Sequence, residues 1–463
     1  MMRRLAALLL ALSVAGIAAA QSVDLPEPAR VVLDNGVVLI LNEKRDVPLI
    51  GIEAVLRAGS IADPADKPGV ASLFAALLEK GAGERSAAEF AETVDAVGGR
   101  LSASADLEVL RISGDFLARD AALAFELLAD MILRPTLDRE ELQKQQELTI
   151  NRIRSAKDAD PNVLMPIYGA GFLFGEHAYS RPVSGDETSL ASIEIGDIQA
   201  FYEERIGADR LIISVSGDFD SSVVEASLTE AFGEWRPATA AELSVDAPPA
   251  SAGGGVLLID KPGATQSYFW LAGPGVARDF ARRADLNLSS TLFGGRFTSM
   301  LNQALRIDSG LTYGARSGFR QYTAGGSFEI SSYTSTATTI EAIDMALAVL
   351  ARLHEEGINE EMLVSGRNYV LGQYPTNFET AAQLARLFAD LEARGLERSY
   401  LTEYGTALTA ASVESVAQLV ADVYPLGEQL VFVVLGDAET IRESLTKYGP
   451  VTELSITEPR FRP

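Results

Sequence analysis

The sequence predicts an α+β protein of two homologous lobes, each a mostly antiparallel sheet with helices packed on one side, together enclosing a chamber. A repeat, a linker and the length predict this. Leu211-Ile212-Ile213-Ser214-Val215-Ser216-Gly217-Asp218 reads as a buried strand leading into a helix, and Leu430-Val431-Phe432-Val433-Val434-Leu435-Gly436-Asp437 repeats it half a chain later. A helix of similar length precedes each, so the repeat is a duplicated domain and not a short-period solenoid. Between the halves, residues 238–255 are rich in Ala, Ser, Pro and Gly, with Pro248-Pro249 and Gly253-Gly254-Gly255, and read as a linker. A chain of 463 residues is also too long for one ordinary domain. The expected divisions are a leader over 1–20, a first lobe over 21–237, the linker over 238–255 and a second lobe over 256–463. Two lobes on a flexible link can enclose a chamber, and clefts between domains commonly bind ligands.

The elements follow in order. Arg30-Val31-Val32-Leu33 and Val37-Val38-Leu39-Ile40 flank Asp34-Asn35-Gly36, a tight hairpin turn. A strand follows over 49–56 and a buried helix over 69–80. Ser86 and Glu89 have capping-box spacing and open another helix, which Gly98-Gly99 stops. Residues 100–115 read as strand. Helices over 119–133 and 138–156 follow, with Pro135 between them.

The N-terminus reads differently. Arg3-Arg4 precede an apolar run over 5–17, and Ala18-Ala19-Ala20 follow. Basic, apolar and then small residues make a secretory signal peptide, cut after Ala20. This implies an exported, periplasmic protein with no membrane span after cleavage. The other reading is an uncleaved anchor, for which the run is short. The chain has no cysteine, so it has neither a lipoprotein anchor nor disulfides, although export would permit them.

Hydrophobic residues make up 47% and charged residues 22%, the profile of a globular chain with a large core. The formal charge is −25, and loss of Arg3 and Arg4 makes the mature chain more negative still. The charge therefore argues against nucleic acid and anionic membrane surfaces as partners. A basic peptide or basic subunit is compatible with the charge, as is a merely solvated acidic surface.

Four stretches carry a resemblance to a known family. The first is Gly69-Val70-Ala71-Ser72-Leu73-Phe74-Ala75-Ala76-Leu77-Leu78-Glu79-Lys80-Gly81, and the second is Phe174-Gly175-Glu176-His177-Ala178-Tyr179-Ser180-Arg181-Pro182-Val183-Ser184-Gly185. The third is Lys261-Pro262-Gly263-Ala264-Thr265-Gln266-Ser267. The fourth is Gly294-Gly295-Arg296-Phe297-Thr298-Ser299-Met300-Leu301-Asn302-Gln303-Ala304-Leu305-Arg306 with Gly310-Leu311-Thr312-Tyr313-Gly314. In this order and spacing the chain resembles the pitrilysin and mitochondrial-processing-peptidase family of zinc peptidases, over nearly all of its mature length. The resemblance implies the family's frame: a zinc helix, an HPY-type loop, the opening of a second lobe and that lobe's distinctive segment.

Such peptidases hold zinc through an inverted H-x-x-E-H motif on a helix. Two histidines bind the metal, and the glutamate takes a proton from the bound water. Here the histidine positions are Ser72 and Ala76, and the base position is Ala75. The third-ligand position falls at or beside Arg152, in Thr149-Ile150-Asn151-Arg152-Ile153-Arg154, where no carboxylate stands. A guanidinium stays protonated and cannot ligate zinc. His177 and His354 are the only histidines. His177 reads as a loop-ordering residue, and His354 as a helix-end residue facing the dipole. The sequence thus implies no metal and no catalytic residue in this chain. No G-x-S-x-G elbow or P-loop replaces them.

Arg306 and Tyr313 match an arginine–tyrosine pair that, in the family, reaches the peptide backbone near the scissile bond of a zinc-bearing lobe. In two-subunit members the pair comes from a chain without zinc. The resemblance therefore implies a non-catalytic, substrate-binding subunit of a heterodimeric zinc peptidase. Its partner is a homologous zinc-bearing subunit, its ligand a peptide, and zinc is expected on the partner alone. A structural Arg–Tyr contact within the second lobe is the other reading of the pair. Met300 and Ile307 stand where members often carry arginine and glutamate. Ser102 takes the place of an asparagine on the strand that aligns substrate, and that strand reads either as a peptide-binding edge or as core packing. The alternative for the whole chain is a stand-alone peptide-binding or scaffold protein, possibly homodimeric, without proteolytic activity.

Overall fold

In the computed structural model, which describes residues 25–249 and 254–463, two six-stranded sheets form the frame. The expected leader, 1–20, lies outside the described residues, as do 250–253 of the expected linker. The chain enters through the expected hairpin. β1 (Ala29–Val32) and β2 (Val38–Glu43) pair antiparallel with Val32 opposite Val38. Gly36 takes φ 95° at the turn, a conformation that carries no steric penalty without a Cβ. β3 (Leu49–Leu56), α1 (Val70–Leu78) and α2 (Ala87–Ala96) follow. α2 opens at the expected capping box, with Ser86 N–H donating to the Glu89 carboxylate at 2.9 Å.

The strand expected over 100–115 is instead a hairpin of β4 (Arg100–Ala105) and β5 (Leu110–Leu117). Asp106 makes the break. Its side chain accepts the N–H groups of Glu108 and Val109, both at 2.8 Å, and turns the chain back. α3 (Ala121–Leu133), α4 (Arg139–Ala159), α5 (Met165–Phe174) and α6 (Ile195–Arg205) lead to β6 (Leu211–Gly217) and α7 (Ser221–Phe232). The sheet order is β1-β2-β6-β3-β5-β4, with only β2 and β6 parallel.

The second half supplies β7 (Val256–Asp260), β8 (Gln266–Pro274), α8 (Arg283–Ser290), β9 (Ala315–Gln321) and β10 (Gly326–Ser335). It continues with α9 (Thr339–Glu356), α10 (Glu360–Gln373), α11 (Ala381–Ala393), α12 (Val413–Val423), β11 (Val431–Gly436), α13 (Ala438–Leu445) and β12 (Val451–Ser455). The order β9-β10-β8-β11-β7-β12 repeats the first sheet at five positions. α6 and α12, before the two Gly-Asp turns, have 11 residues each. The sixth positions differ: β1 arrives antiparallel in a hairpin, and β12 arrives parallel beside β7.

The expected helices on one side account for one face of each sheet. The other face is covered by a helix from the opposite half. α11 lies across β3 and β6 of the first sheet, and α5 lies across β8 and β11 of the second. α11 starts at Thr380, which makes a capping box with Gln383, and ends before Gly395 at φ 63°. Its Leu384, Phe388 and Ala389 pack with Val38, Ile40, Val55 and Ile212. Burying each large side chain contributes about 1.5–3 kcal/mol. The approaches are close. A Cβ on Gly51 would lie 2.4 Å from the Ala382 nitrogen, and one on Gly169 of α5 would lie 2.4 Å from the Trp270 ring. The linker is also docked: Ala240 N–H donates to the Glu204 carbonyl at 3.0 Å, and His177 Nε2 bonds the Asp246 carbonyl at 2.9 Å. Exchanged helices and these docked linker residues tie the two halves together.

Polar groups fix where α11 sits. Arg111 of β5 is buried and reaches Glu53 of β3 at 3.3 Å and Asp390 of α11 at 2.6 Å. Ser113 donates to Glu53 at 2.6 Å. Burial pushes the Glu53 carboxyl above the usual range, against the pull of Ser113 and Arg111. A second pair, Arg30 with Glu392, joins the same helix to β1 at 2.8 Å near solvent. The two should differ in weight. Arg111→Ala leaves the buried Glu53 with Ser113 and no ion pair, while Asp390 keeps Arg394, and is expected to cost about 3–5 kcal/mol of unfolding free energy. Arg30→Ala should cost under about 1 kcal/mol. Urea unfolding of both variants checks this, and equal losses would mean that Arg111 is not the anchor.

Candidate functional site

The helix that matches the zinc helix is set by its entry. Gly69 at φ 106° starts α1, and Asp63 accepts the N–H groups of Gly69 and Ala71 at 2.8 Å each. Burial pushes Asp63 up to about 7, against the opposing pull of those amides and of the Arg181 guanidinium. Arg181 in turn donates to the Ile61 and Asp63 carbonyls at 3.3 and 3.0 Å. The loop matching the HPY stretch is therefore a clasp on the α1 entry. It also reaches the second lobe: the buried Tyr179 hydroxyl donates to Glu108 at 2.9 Å and accepts the Ala324 N–H at 3.0 Å. His177 Nδ1 accepts the Tyr179 N–H at 3.1 Å, so its Nε2 carries the proton given to Asp246. His177 orders a loop, as its sequence context suggested. His354 sits in the last turn of α9, with its pKa lowered chiefly by burial.

α1 packs against α4, which carries Arg152, and against β4, which carries Ser102. The elements of the expected metal site are thus assembled. Ser72 and Ala76 are half-buried one turn apart, Ala75 is buried, and Arg152 is exposed. Their chemistry does not fit zinc. Alanine has no donor atom, and a guanidinium has no lone pair to give. Among the described residues no three His, Cys, Asp or Glu side chains converge as a ligand set.

β4 is the edge strand of the first sheet, and Ser102 is exposed on it opposite Ser113. Antiparallel residues alternate between facing the partner strand and facing away. The Ala103 N–H faces away and donates to Glu79 Oε1 at 2.7 Å. Glu79, just past the end of α1, therefore closes the middle of the edge that a peptide strand would use. The sequence carried no signal for this beyond an acidic residue in an apolar helix end.

Arg306 and Tyr313 stand elsewhere, and together. Ser299 caps a short helix, and residues Gln303–Asp308 widen into a π-helical turn anchored by the buried Leu305. Such turns often re-aim a side chain at a functional site. The Arg306 guanidinium lies over the Tyr313 ring at 4.4 Å and the Phe297 ring at 4.6 Å. Thr312 is buried and bonds Gly314 and Ser332, and Asn302 accepts the Ala315 N–H at 2.9 Å. These contacts hold the loop while leaving Tyr313 72% exposed, with Phe297 at 62% and Ile307 at 57%. Among the described residues neither the Arg306 guanidinium nor the Tyr313 hydroxyl has a hydrogen-bond partner, although those around them do.

Both line an open cleft of about 760 Å³ between the start of α5 and the face of the second sheet. Met165 and Pro166 form one wall, and Trp270 and Tyr333 belong to the other. In a single chain, this cleft is what stands for the expected chamber. None of Ser72, Ala75, Ala76, Ser102 or Arg152 lines it. The structure thus joins Arg306 to Tyr313, and α1 to α4 and β4, but does not bring these two groups into one cavity.

If Glu79 closes the edge, Glu79→Ala should speed exchange of the Ala103 amide about tenfold or more, since bonds to charged groups contribute about 1.5–3 kcal/mol. Native-state hydrogen exchange reads this directly. Unchanged protection would mean that another group holds the edge.

Comparison with known proteins agrees with the two-lobed fold. The model described as Insulinase (Peptidase family M16) matches residues 37–179, and that described as Peptidase M16 inactive domain matches 192–369. An uncharacterized zinc protease of Bacillus subtilis, YmxG, is 25% identical over 351 residues, covering 76% of this chain and 84% of that one. One from Mycobacterium leprae is 26% identical over 336 residues, covering 72% and 74%. Among solved structures, a peptidase M16 inactive domain from Pseudomonas fluorescens superposes with a TM-score of 0.82 at 22% identity, covering 89% of this chain and 98% of that one. The periplasmic protease PqqL from Escherichia coli gives 0.76 at 14% identity, covering 89% and 45%. Among the described residues no helix is long and apolar enough to cross a membrane. With both family models matched in tandem across its two halves, the chain belongs to peptidase family M16.

Proposed function

We propose that this chain is the non-catalytic, substrate-binding subunit of a two-chain zinc peptidase. It supplies Arg306 and Tyr313 to the active site of a homologous, zinc-bearing partner. One observation carries the reading. The Arg306–Tyr313 pair is held on an exposed loop, has no bonding partner of its own, and faces a cleft free of the degenerate metal positions. A structural Arg–Tyr contact would be buried and hydrogen-bonded. The guanidinium offers fixed donors to peptide carbonyls, and the phenol can donate to a carbonyl or a developing oxyanion. Metal and base come from the partner. The relatives' names speak of zinc proteases, and the loss of donors at Ser72, Ala75, Ala76 and Arg152 sets this chain apart from that description. Export to the periplasm belongs to the same reading and rests on the Arg3-Arg4, apolar and triple-alanine pattern.

Two outcomes are expected. The purified chain should bind no stoichiometric zinc and cleave no peptide, and metal analysis finding near one zinc per chain, lost on chelation, would overturn this. Coexpressed with a zinc-bearing homologue, the Arg306→Ala, Tyr313→Phe double variant should assemble normally with its zinc retained. Its turnover should fall roughly a hundredfold or more, as for loss of donors aimed at developing charge. Size-exclusion chromatography and a peptide-cleavage assay read both. Full activity in the assembled variant, or purification from the native host without any such homologue, favours the stand-alone peptide-binding or scaffold role.

A further inference from the structure

The cleft is cationic although the chain is strongly acidic. Arg296, Arg306, Arg316 and Arg320 line it, against a single carboxylate, Glu329. That carboxylate is already neutralised. Arg320 pairs with it at 2.7 Å, Trp270 Nε1 donates to it at 3.3 Å, and Ser327 donates at 2.8 Å. Arg296 donates to the Ser365 hydroxyl at 3.0 Å. Arg306 stacks on Phe297 and Tyr313. Arg316 is exposed, and among the described residues neither it nor Arg306 has an ion-pair partner.

The arrangement is ordered along a strand. Arg316, Gly318 and Arg320 alternate along β9 and so project from one face. A Cβ on Gly318 would meet nothing within 4 Å, so the space between the two arginines is open. Beside it lie apolar side chains open to the cleft, the exposed Phe297 and the half-buried Pro166. An apolar floor with a few convergent polar groups is the usual form of a ligand site, and guanidinium groups favour the planar carboxylate.

We propose that this cleft selects acidic peptides: carboxylates of the bound chain meet Arg306 and Arg316, and its apolar side chains rest on the exposed Phe297 ring. This deepens the proposed function, resting on its reading of the cleft as a substrate site, and names the substrate class. It also reverses the bulk-charge expectation, in which an acidic chain suits a basic peptide.

The test uses the purified chain and two labelled peptides that differ only in carrying glutamate or glutamine at the same positions. Fluorescence anisotropy should give about tenfold tighter binding for the glutamate peptide at low salt, the size expected for one charge-assisted contact. Added salt should erode the difference. In the Arg306→Gln, Arg316→Gln double variant the glutamate peptide should fall to the affinity of its glutamine twin, and in Arg316→Glu the order should invert. An unchanged melting curve confirms that either variant is folded. Equal affinities, no binding of either peptide, or a preference that survives in Arg316→Glu would overturn the proposal. The measurement needs no partner, so its failure leaves the two-chain reading standing, and absence of a zinc-bearing partner leaves the acid preference standing.

Discussion

Everything in this molecule depends on each half covering the other's sheet. The central strands β3, β6, β8 and β11 are largely buried on both faces. A strand buried on both faces needs a layer on each side. The local helices supply one layer, and α11 and α5 cross over to supply the other. The cost of this solution is close approach, met at Gly51 and Gly169, where no side chain could fit. Its consequence is rigidity. The wall of the cleft formed at the start of α5 belongs to the first half, and the wall carrying Arg306 belongs to the second. Because α5 is itself packed on the second sheet, those walls cannot separate without opening the core.

That rigidity bears on function. A chain whose lobes hinged freely could in principle bring its own α1 to its own Arg306. With helices exchanged, α1 and the Arg306–Tyr313 loop are fixed in separate places, and the cleft that Arg306 and Tyr313 line holds none of Ser72, Ala75, Ala76 or Arg152. This separation is what the proposed two-chain reading rests on, with the reacting centre presented by another chain. Glu79 points the same way, since a first lobe without ligands also has its edge strand occupied at Ala103. Positions without metal donors and an edge occupied at Ala103 thus sit side by side in the first lobe.

Much of this was legible in the sequence where the cause is local. The Asp34-Asn35-Gly36 turn, the Ser86–Glu89 capping box and the two Gly-Asp strand ends each declare themselves within a few residues. Asp106 was legible too, as a turn residue inside an otherwise strand-like run, but the run's length masked it. The crossing helices were not. The continuous apolar run Leu211-Ile212-Ile213 signals two covered faces, yet nothing near it says that the second cover comes from residues 381–393. Ser72, Ala75, Ala76 and Arg152 were found by alignment to a motif, as were Arg306 and Tyr313. Arg316 and Arg320 were missed because their charges matter only after β9 lines them up beside Arg296 and Arg306. A net charge of −25 averages such a cluster away.

The contrast between bulk charge and cleft charge has a physical resolution. At physiological ionic strength the screening length is about 8 Å, so a group in the cleft senses its nearest neighbours far more than the distant surface. Among the residues that line the cleft the arginines outnumber the one paired carboxylate. Farther out, the acidic surface repels an anionic peptide and slows its approach, while salt relieves that repulsion. The two effects act on different rates. Repulsion by the surface limits association, and contact with Arg306 and Arg316 limits dissociation. An acidic chain with a basic cleft therefore retains only anions that can bring a carboxylate into direct contact, and excludes those whose charge is merely nearby.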